Sequence, residues 1–145
     1  MGLVRFIAAL FSRSARPNSA SSDPRHRLGL RGEELAAKFL RKSGFKILYR
    51  NYRPKGGGEV DLVCRDGKTL AFVEVKTRSS DEFGRPADAV NAGKRELIAR
   101  GARSWLRLLD NRDVIVRFDV VEVIAGDGKP ELTLHKAAFV PENTR

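Results

Sequence analysis

The sequence has a single cysteine and no long apolar run, and both shortages exclude classes of protein. Cys64 cannot form an intrachain disulfide, so a reducing, cytoplasmic compartment is expected. Its alternation with Val60 and Leu62 predicts a buried core thiol rather than a reactive one. The apolar stretch from Leu3 to Phe11 is broken by Arg5 and is far shorter than the ~20 residues that span a membrane. A membrane protein and a disulfide-stapled secreted domain are therefore not expected.

Negative charge is also scarce relative to positive charge. The chain has 28 Lys and Arg against 18 Asp and Glu, a net charge of +10. Residues 1–31 contain six arginines and one acid, so half of the excess lies in the first fifth of the chain. A basic protein attracts polyanions through electrostatic steering and counterion release, which predicts a nucleic-acid partner. The alternative is that the charge serves solubility alone.

The length of 145 residues suits one domain with one hydrophobic core. Residues 1–27 are rich in Ser, Arg and Pro and predict a basic, disordered tail, whereas 28–145 form the domain. A signal peptide is the alternative for the tail, but no small-x-small cleavage site follows its apolar stretch.

Hydrophobic periodicity predicts two helices, over about Gly29 to Ser43 and from Pro86 to about Leu109. Period-two alternation predicts strands over Phe45–Arg50, Glu59–Arg65, Thr69–Thr77, Val114–Ile124 and Leu132–His135. The order α-β-β-β-α-β-β predicts an α/β fold with a central mixed sheet flanked by helices.

The strand from Thr69 to Thr77 carries the main functional signal. Its first half is apolar on both faces, which is typical of a strand covered on both sides. Glu74 and Lys76 then appear on one face at its end, where a purely structural strand would continue with apolar residues. Burying ionisable groups is costly unless they pair or bind an ion. The pattern favours a site here; a plain salt bridge between Glu74 and Lys76 is the alternative.

The preceding strand is predicted to bring a second carboxylate to this point. A two-residue turn at Asp66-Gly67 would place Asp61 opposite Phe72 and Glu59 opposite Glu74, so that Asp61 and Glu74 are diagonal neighbours on one face. A four-residue loop would instead place Asp61 directly opposite Glu74, and a three-residue loop would put them on opposite faces.

Converging carboxylates repel each other unless a cation intervenes. Mg²⁺ or Mn²⁺, which prefer oxygen ligands, are the expected ions at Asp61 and Glu74. Lys76 beside the ion would orient a water and stabilise developing phosphorane charge. Glu33, near the start of the first helix, either joins the site or only favours the positive helix N-terminus.

Several cations near this region are candidate phosphate ligands. The loop after the first strand mixes cations with an aromatic residue, as a nucleic-acid groove does, although a solvated loop would look the same. Lys94 lies among apolar helix positions, from which it reaches either the site or water. Arg78 and Arg85 flank a polar loop that is a candidate lid. The predicted nucleic-acid ligands are Arg50, Arg53, Lys55, Arg78 and Lys94.

From Leu28 to about Ile124 the chain resembles the uncharacterised bacterial YraN family. The matching blocks are Gly32-Glu33 with Ala36, Gly44-Phe45, Asn51, Gly58-Glu59-Val60-Asp61-Leu62, Phe72-Val73-Glu74-Val75-Lys76-Thr77-Arg78, Lys94, Arg117-Phe118-Asp119-Val120-Val121, and His135 to Phe139. Together these blocks are specific, and they cover most of the chain apart from the tail.

That family is similar to archaeal Holliday-junction resolvases and to the wider PD-(D/E)XK nucleases. The resemblance implies a restriction-endonuclease-like fold, metal carboxylates at Asp61, Glu74 and Glu33, and a catalytic lysine at Lys76. DNA is favoured over RNA as the partner without RNA being excluded, and a homodimer is one candidate state, because resolvase-like enzymes usually pair. Val60 stands before Asp61 where the motif has proline, a departure that related nucleases tolerate.

Three functions remain open at this point. The first is a metal-dependent endonuclease acting on DNA, with branched or damaged DNA as candidate substrates. The second is a nucleic-acid-binding module of the same fold without catalysis. The third is an interaction domain whose charge serves a protein partner. The intact set of Asp61, Glu74 and Lys76 favours the first, because a pure binder has no need for clustered carboxylates beside its phosphate ligand.

Overall fold

The computed structural model describes residues 23–78, 90–110, 113–126 and 128–142. These residues form two helices and five strands. In chain order the elements are α1 (Pro24–Lys42), β1 (Lys46–Tyr52), β2 (Val60–Asp66), β3 (Thr69–Arg78), α2 (Ala92–Arg107), β4 (Ile115–Ile124) and β5 (Glu131–His135).

The strands form one mixed sheet in the order β1-β2-β3-β4-β5. β1, β2 and β3 are antiparallel neighbours, β3 and β4 run parallel, and β5 returns antiparallel to β4. The parallel pair requires a crossover, and α2 lies in it. The predicted α/β fold with a mixed sheet flanked by helices is confirmed, and the arrangement is consistent with a restriction-endonuclease-like fold.

The core lies on both faces of the sheet, as the apolar first half of β3 predicts. Leu70 and Phe72 pack on the α2 side, whereas Ala71 and Val73 pack on the α1 side. Cys64 is fully buried in the α1-side core, as its alternation with apolar residues predicts. The α2-side core consists of Tyr52, Val60, Val63, Leu70, Phe72, Val90, Ile98, Ala102, Trp105, Phe118, Val120 and Phe139.

Both helices differ from their predicted bounds at the N-terminal end. α1 begins at Pro24, five residues before the predicted Gly29, because Asp23 caps it by accepting a hydrogen bond from the Arg25 N–H at 3.0 Å. Residues 24–27, assigned to the tail by sequence, are therefore helical. α2 begins at Ala92 after its cap Asn91, not at Pro86.

Residues 79–89 are outside the described part of the chain. They include Pro86, the predicted helix start, and Arg85 with the candidate lid. No helix in the described part of the chain is long and apolar enough to cross a membrane.

The turn between β2 and β3 was predicted one residue too early. Gly67 and Lys68 form it, with Gly67 at a φ of +60°, and Asp66 pairs with Thr69. Asp66 stays in the strand because its carboxylate is held by Arg117 at 2.9 Å and by Lys136 at 3.0 Å. Each residue of β2 pairs two positions further along β3 than predicted. Because this shift is an even number of residues, each side chain stays on its predicted face of the sheet.

The register also changes which residues face each other. The pairing runs down to Leu62 with Val73. Its continuation places Asp61, rather than Glu59, opposite Glu74. The predicted pairs of Asp61 with Phe72 and of Glu59 with Glu74 were therefore wrong.

Candidate metal and nucleic-acid site

Asp61 lies where β2 and β3 separate. The β2–β3 register ends at Leu62 and Val73. One residue further, Asp61 Oδ2 accepts a hydrogen bond from the backbone N–H of Val75 at 2.8 Å. A side-chain carboxylate thus takes over from the backbone of β2, which fixes Asp61 beside the charged end of β3.

Glu74 is the most deeply buried carboxyl group of the site, with 8% of the residue exposed. Its Oε2 has no hydrogen-bond donor among the residues that the structure describes. Burial and the neighbouring Asp61 carboxyl raise the pKa of Glu74 to about 9. When both carboxyl groups are ionised, their like charges repel, and a proton on one of them or a nearby cation offsets that repulsion.

Glu33 joins these two carboxyls from α1. Burial, with the nearby Asp61 carboxylate as the next cause, raises the pKa of Glu33. Its Oε2 accepts a hydrogen bond from Asn51 Nδ2 at 3.1 Å. Asn51 has a φ of +53°, a left-handed conformation that asparagine tolerates better than most residues. Glu33 therefore faces Asn51 and Asp61, and it lies well inside α1, which begins at Pro24, rather than at the helix N-terminus.

A fourth carboxylate, Glu59, comes from the loop before β2. Gly58 has a φ of +98°, and a Cβ there would lie 2.3 Å from the backbone nitrogen of Gly101 in α2. The close approach lets the Glu59 N–H donate to the carbonyl of Leu97 at 3.0 Å. The loop is thereby fixed on α2, one turn from Lys94.

Lys94 reaches the site from the first turn of α2. Its Nζ donates a hydrogen bond to Glu59 Oε1 and lies 3.5 Å from Glu74 Oε1. Burial opposes the charge on Lys94, but the hydrogen bond to Glu59 and the charges of Glu74 and Asp61 outweigh it, so its pKa is raised. The hydrogen bond to Glu59 is also the main reason why the pKa of Glu59 is lowered.

A cavity of about 350 Å³ opens between α1 and the end of β3. Beside it, α1 approaches β3 closely at Gly32, where a Cβ would lie 1.9 Å from Thr77 Oγ1. Lys76, an exposed residue, lines the cavity together with Glu33 and Glu74. The full lining is Arg25, Leu28, Gly29, Glu33, Glu74, Val75, Lys76 and Thr77.

The predicted phosphate ligands differ in their surroundings. Arg50 and Arg53 are exposed, and both act on the Glu33 carboxylate, which places them beside the site. Lys55 is exposed in the following turn. Arg78 is instead largely buried, with its Nε 3.8 Å from Glu122 Oε1, and is less accessible to a ligand. Two exposed arginines and Lys94 thus lie around the carboxylates.

The structure places the Asp61 carboxylate where its charge acts on both Glu33 and Glu74. Sequence reasoning gave no role to Glu59 or Asn51, although both lie in blocks that carry the family resemblance. As the side chains stand in the described ranges, no three acidic, His or Cys residues are grouped closely enough to hold one metal ion.

Comparison with known protein sequences identifies the family of this chain. The model of the uncharacterised protein family UPF0102 matches residues 32–123. The chain belongs to this family. A UPF0102 protein of Nocardia farcinica is 50% identical over 113 residues, which are 77% of this chain and 88% of the relative. A UPF0102 protein of Anaeromyxobacter dehalogenans is 45% identical over 117 residues, 81% of this chain and 87% of the relative.

Membership of UPF0102 confirms the resemblance to YraN proteins seen in the sequence. The matched range contains Glu33, Asn51, the Glu59-to-Asp61 segment, Glu74 to Lys76, and Lys94. The carboxylates of the site and Lys94 thus lie within the range that matches the family.

Proposed function

We propose that this UPF0102 protein is a metal-dependent endonuclease that hydrolyses phosphodiester bonds in DNA. The observation that carries the proposal is the buried Glu74 carboxyl group, which faces Asp61 and has an oxygen without a donor in the described part of the chain. A buried pair of carboxylates is stable only with a proton or a cation. The resemblance to PD-(D/E)XK nucleases that the sequence motifs suggest would imply the same chemistry.

The carboxylates present are the oxygen ligands that Mg²⁺ or Mn²⁺ prefers, and they would draw closer together to bind one ion. Asp61 and Glu74 would hold the ion, with Glu33 as the third carboxylate beside Asp61. When bound, such an ion polarises a phosphoryl oxygen and lowers the pKa of a bound water. Asn51 orients Glu33 through its hydrogen bond, and Val75 orients Asp61.

The surrounding cations would hold and orient the substrate. Lys76 is exposed on the lining of the cavity, where its ammonium can position a water and stabilise charge on the phosphate. Arg50 and Arg53 are exposed beside Glu33 and would bind backbone phosphates, with Lys55 extending the basic surface. These contacts set affinity and position without reading the base sequence.

One observation favours the second function, a nucleic-acid-binding module without catalysis. No three acidic, His or Cys side chains of the described residues are grouped as ligands for one ion. If the side chains must rearrange before they bind a metal ion, the affinity for that ion is lowered. The two functions share the basic surface and differ only in hydrolysis.

A cleavage screen separates them. The protein would be incubated with linear, branched and single-stranded DNA, and with matched RNA, in Mg²⁺, Mn²⁺ or chelator. The nuclease proposal expects metal-dependent products from at least one DNA substrate and none with chelator. Tight binding to DNA without products under any divalent ion would establish the binding module instead.

A further inference from the structure

Lys94 contacts two carboxylates that belong to different elements. Its ammonium donates a hydrogen bond to Glu59, from the loop before β2, and lies 3.5 Å from Glu74 Oε1, on β3. The start of α2 fixes the lysine, because Asn91 Oδ1 accepts a hydrogen bond from the Lys94 N–H at 2.9 Å. About a quarter of the Lys94 side chain is exposed, so the ammonium can move toward solvent.

The position of Lys94 gives it a specific electrostatic role. Across the described ranges, it is the one cation in ion-pair contact with Glu74. A divalent ion held by Asp61 and Glu74 would stand close to the ammonium, and like charges in a poorly solvated site repel strongly. Either the lysine stays on Glu74 or a metal ion replaces it there.

We propose that Lys94 occupies the cation position beside Glu74 in the metal-free protein, and that a divalent ion must displace its ammonium from Glu74 and leave it on Glu59. This inference rests on the proposed function only in taking Asp61 and Glu74 as metal ligands. Lys94 is then a positioning residue, and it weakens metal binding because its ammonium competes with the ion for Glu74. Once displaced, the ammonium would no longer pair with Glu74 and would be available to a substrate phosphate.

The direct test is Mn²⁺ binding to the full-length protein by isothermal titration calorimetry. Lys94→Met removes the competing charge and keeps the length of the side chain, so Mn²⁺ should bind roughly tenfold more tightly than to wild type. Lys68→Met is the matched control, because Lys68 is exposed in the β2–β3 turn, before the start of β3, and is in none of the ion pairs of Glu74. Lys94→Gln gives the same expectation if the methionine variant does not fold.

A second variant tests whether Glu59 receives the lysine. Glu59→Gln removes the charge that draws Lys94 away from Glu74, so Mn²⁺ should bind several-fold more weakly in the wild-type background. In the Lys94→Met background the same change should have almost no effect. An ordinary loss of one acidic charge near the site would weaken Mn²⁺ binding equally in both backgrounds, and that result would overturn the role of Glu59.

The outcomes separate this inference from the proposed function. If wild type binds Mn²⁺ through Asp61 and Glu74 but Lys94→Met binds it equally or more weakly, the displacement is wrong and the metal site stands. If neither protein binds Mn²⁺ in a way that Asp61→Asn abolishes, the metal site itself is wrong and both ideas fall.

Discussion

Asp61 continues the β2–β3 ladder with its side chain, since its Oδ2 accepts the Val75 N–H at 2.8 Å where the backbone pairing has ended. The separation of the two strands opens the sheet, and the carboxylate is fixed at the opening. Glu74, the residue before Val75, is thereby brought against a second negative group. The hydrogen bond thus fixes the position of Asp61, whose charge adds to burial in raising the pKa of Glu74.

The pH dependence of stability tests the environment of Glu74. Its pKa in the folded protein is about 9, against 4.5 for the ordinary group, so between these values the folded state holds a proton that the unfolded chain has lost. Raising the pH through this window without metal should therefore destabilise the fold. Glu74→Gln should remove this dependence and raise the free energy of unfolding at pH 9 by on the order of 1–2 kcal/mol.

The measurement is urea unfolding of both proteins from pH 5 to pH 9 in chelator. Glu34→Gln is the control, because Glu34 is an exposed acid on the same helix as Glu33. If wild type and Glu74→Gln lose stability in parallel over this range, Glu74 is ionised in the folded protein and its environment is misassigned.

The contact of α1 with β3 depends on the absence of a side chain at Gly32. A Cβ at this position would lie 1.9 Å from Thr77 Oγ1 and 3.0 Å from Thr77 Cβ, so rotation of the threonine alone does not relieve the clash. Gly32→Ala should lower the free energy of unfolding by about 1–3 kcal/mol. Gly29→Ala, on the same helix with no atom within 4 Å, should instead stabilise by up to about 1 kcal/mol.

Chemical unfolding of the two alanine variants checks this contrast. Because the helix propensity of alanine is the same in both, the difference between them reports the contact with Thr77. Equal stability of Gly32→Ala and Gly29→Ala would show that α1 does not lie as close to β3 as described.

The strands of the sheet were predictable because the pattern of apolar residues within each segment identifies them. The contact between Glu59 and Lys94 was not predictable in this way. The apolar first half of β3 and its charged end identify Glu74 and Lys76 directly. Glu59 meets Lys94 across 35 positions of sequence, through the close approach of Gly58 and Gly101, and no periodicity encodes that contact. The start of α1 was missed because its apolar stripe begins at Leu28, after the polar first turn that Asp23 caps.

The basic N-terminal segment should contribute to nucleic-acid affinity. α1 and its cap begin at Asp23, so a deletion of residues 1–22 leaves the described domain intact and removes three arginines without an acid. We expect unchanged thermal stability, weaker DNA binding, and a salt dependence shallower by up to about three counterions. Fluorescence anisotropy titrations over a range of salt concentrations measure this, and an affinity that does not depend on salt in either protein would contradict a polyanionic partner.

The most direct test of the account compares cleavage and binding in variants of the site. Asp61→Asn, Glu74→Gln and Lys76→Ala should each lower metal-dependent DNA cleavage by at least about a hundredfold, because ion ligands and the positioned water are lost. Binding in chelator should stay within a few-fold of wild type, since other phosphate contacts supply most of the affinity. Lys68→Ala, in the distant turn, should leave both unchanged. Wild-type protein that binds branched DNA tightly but cleaves no DNA with any divalent ion, or variants that cleave as well as wild type, would contradict the account.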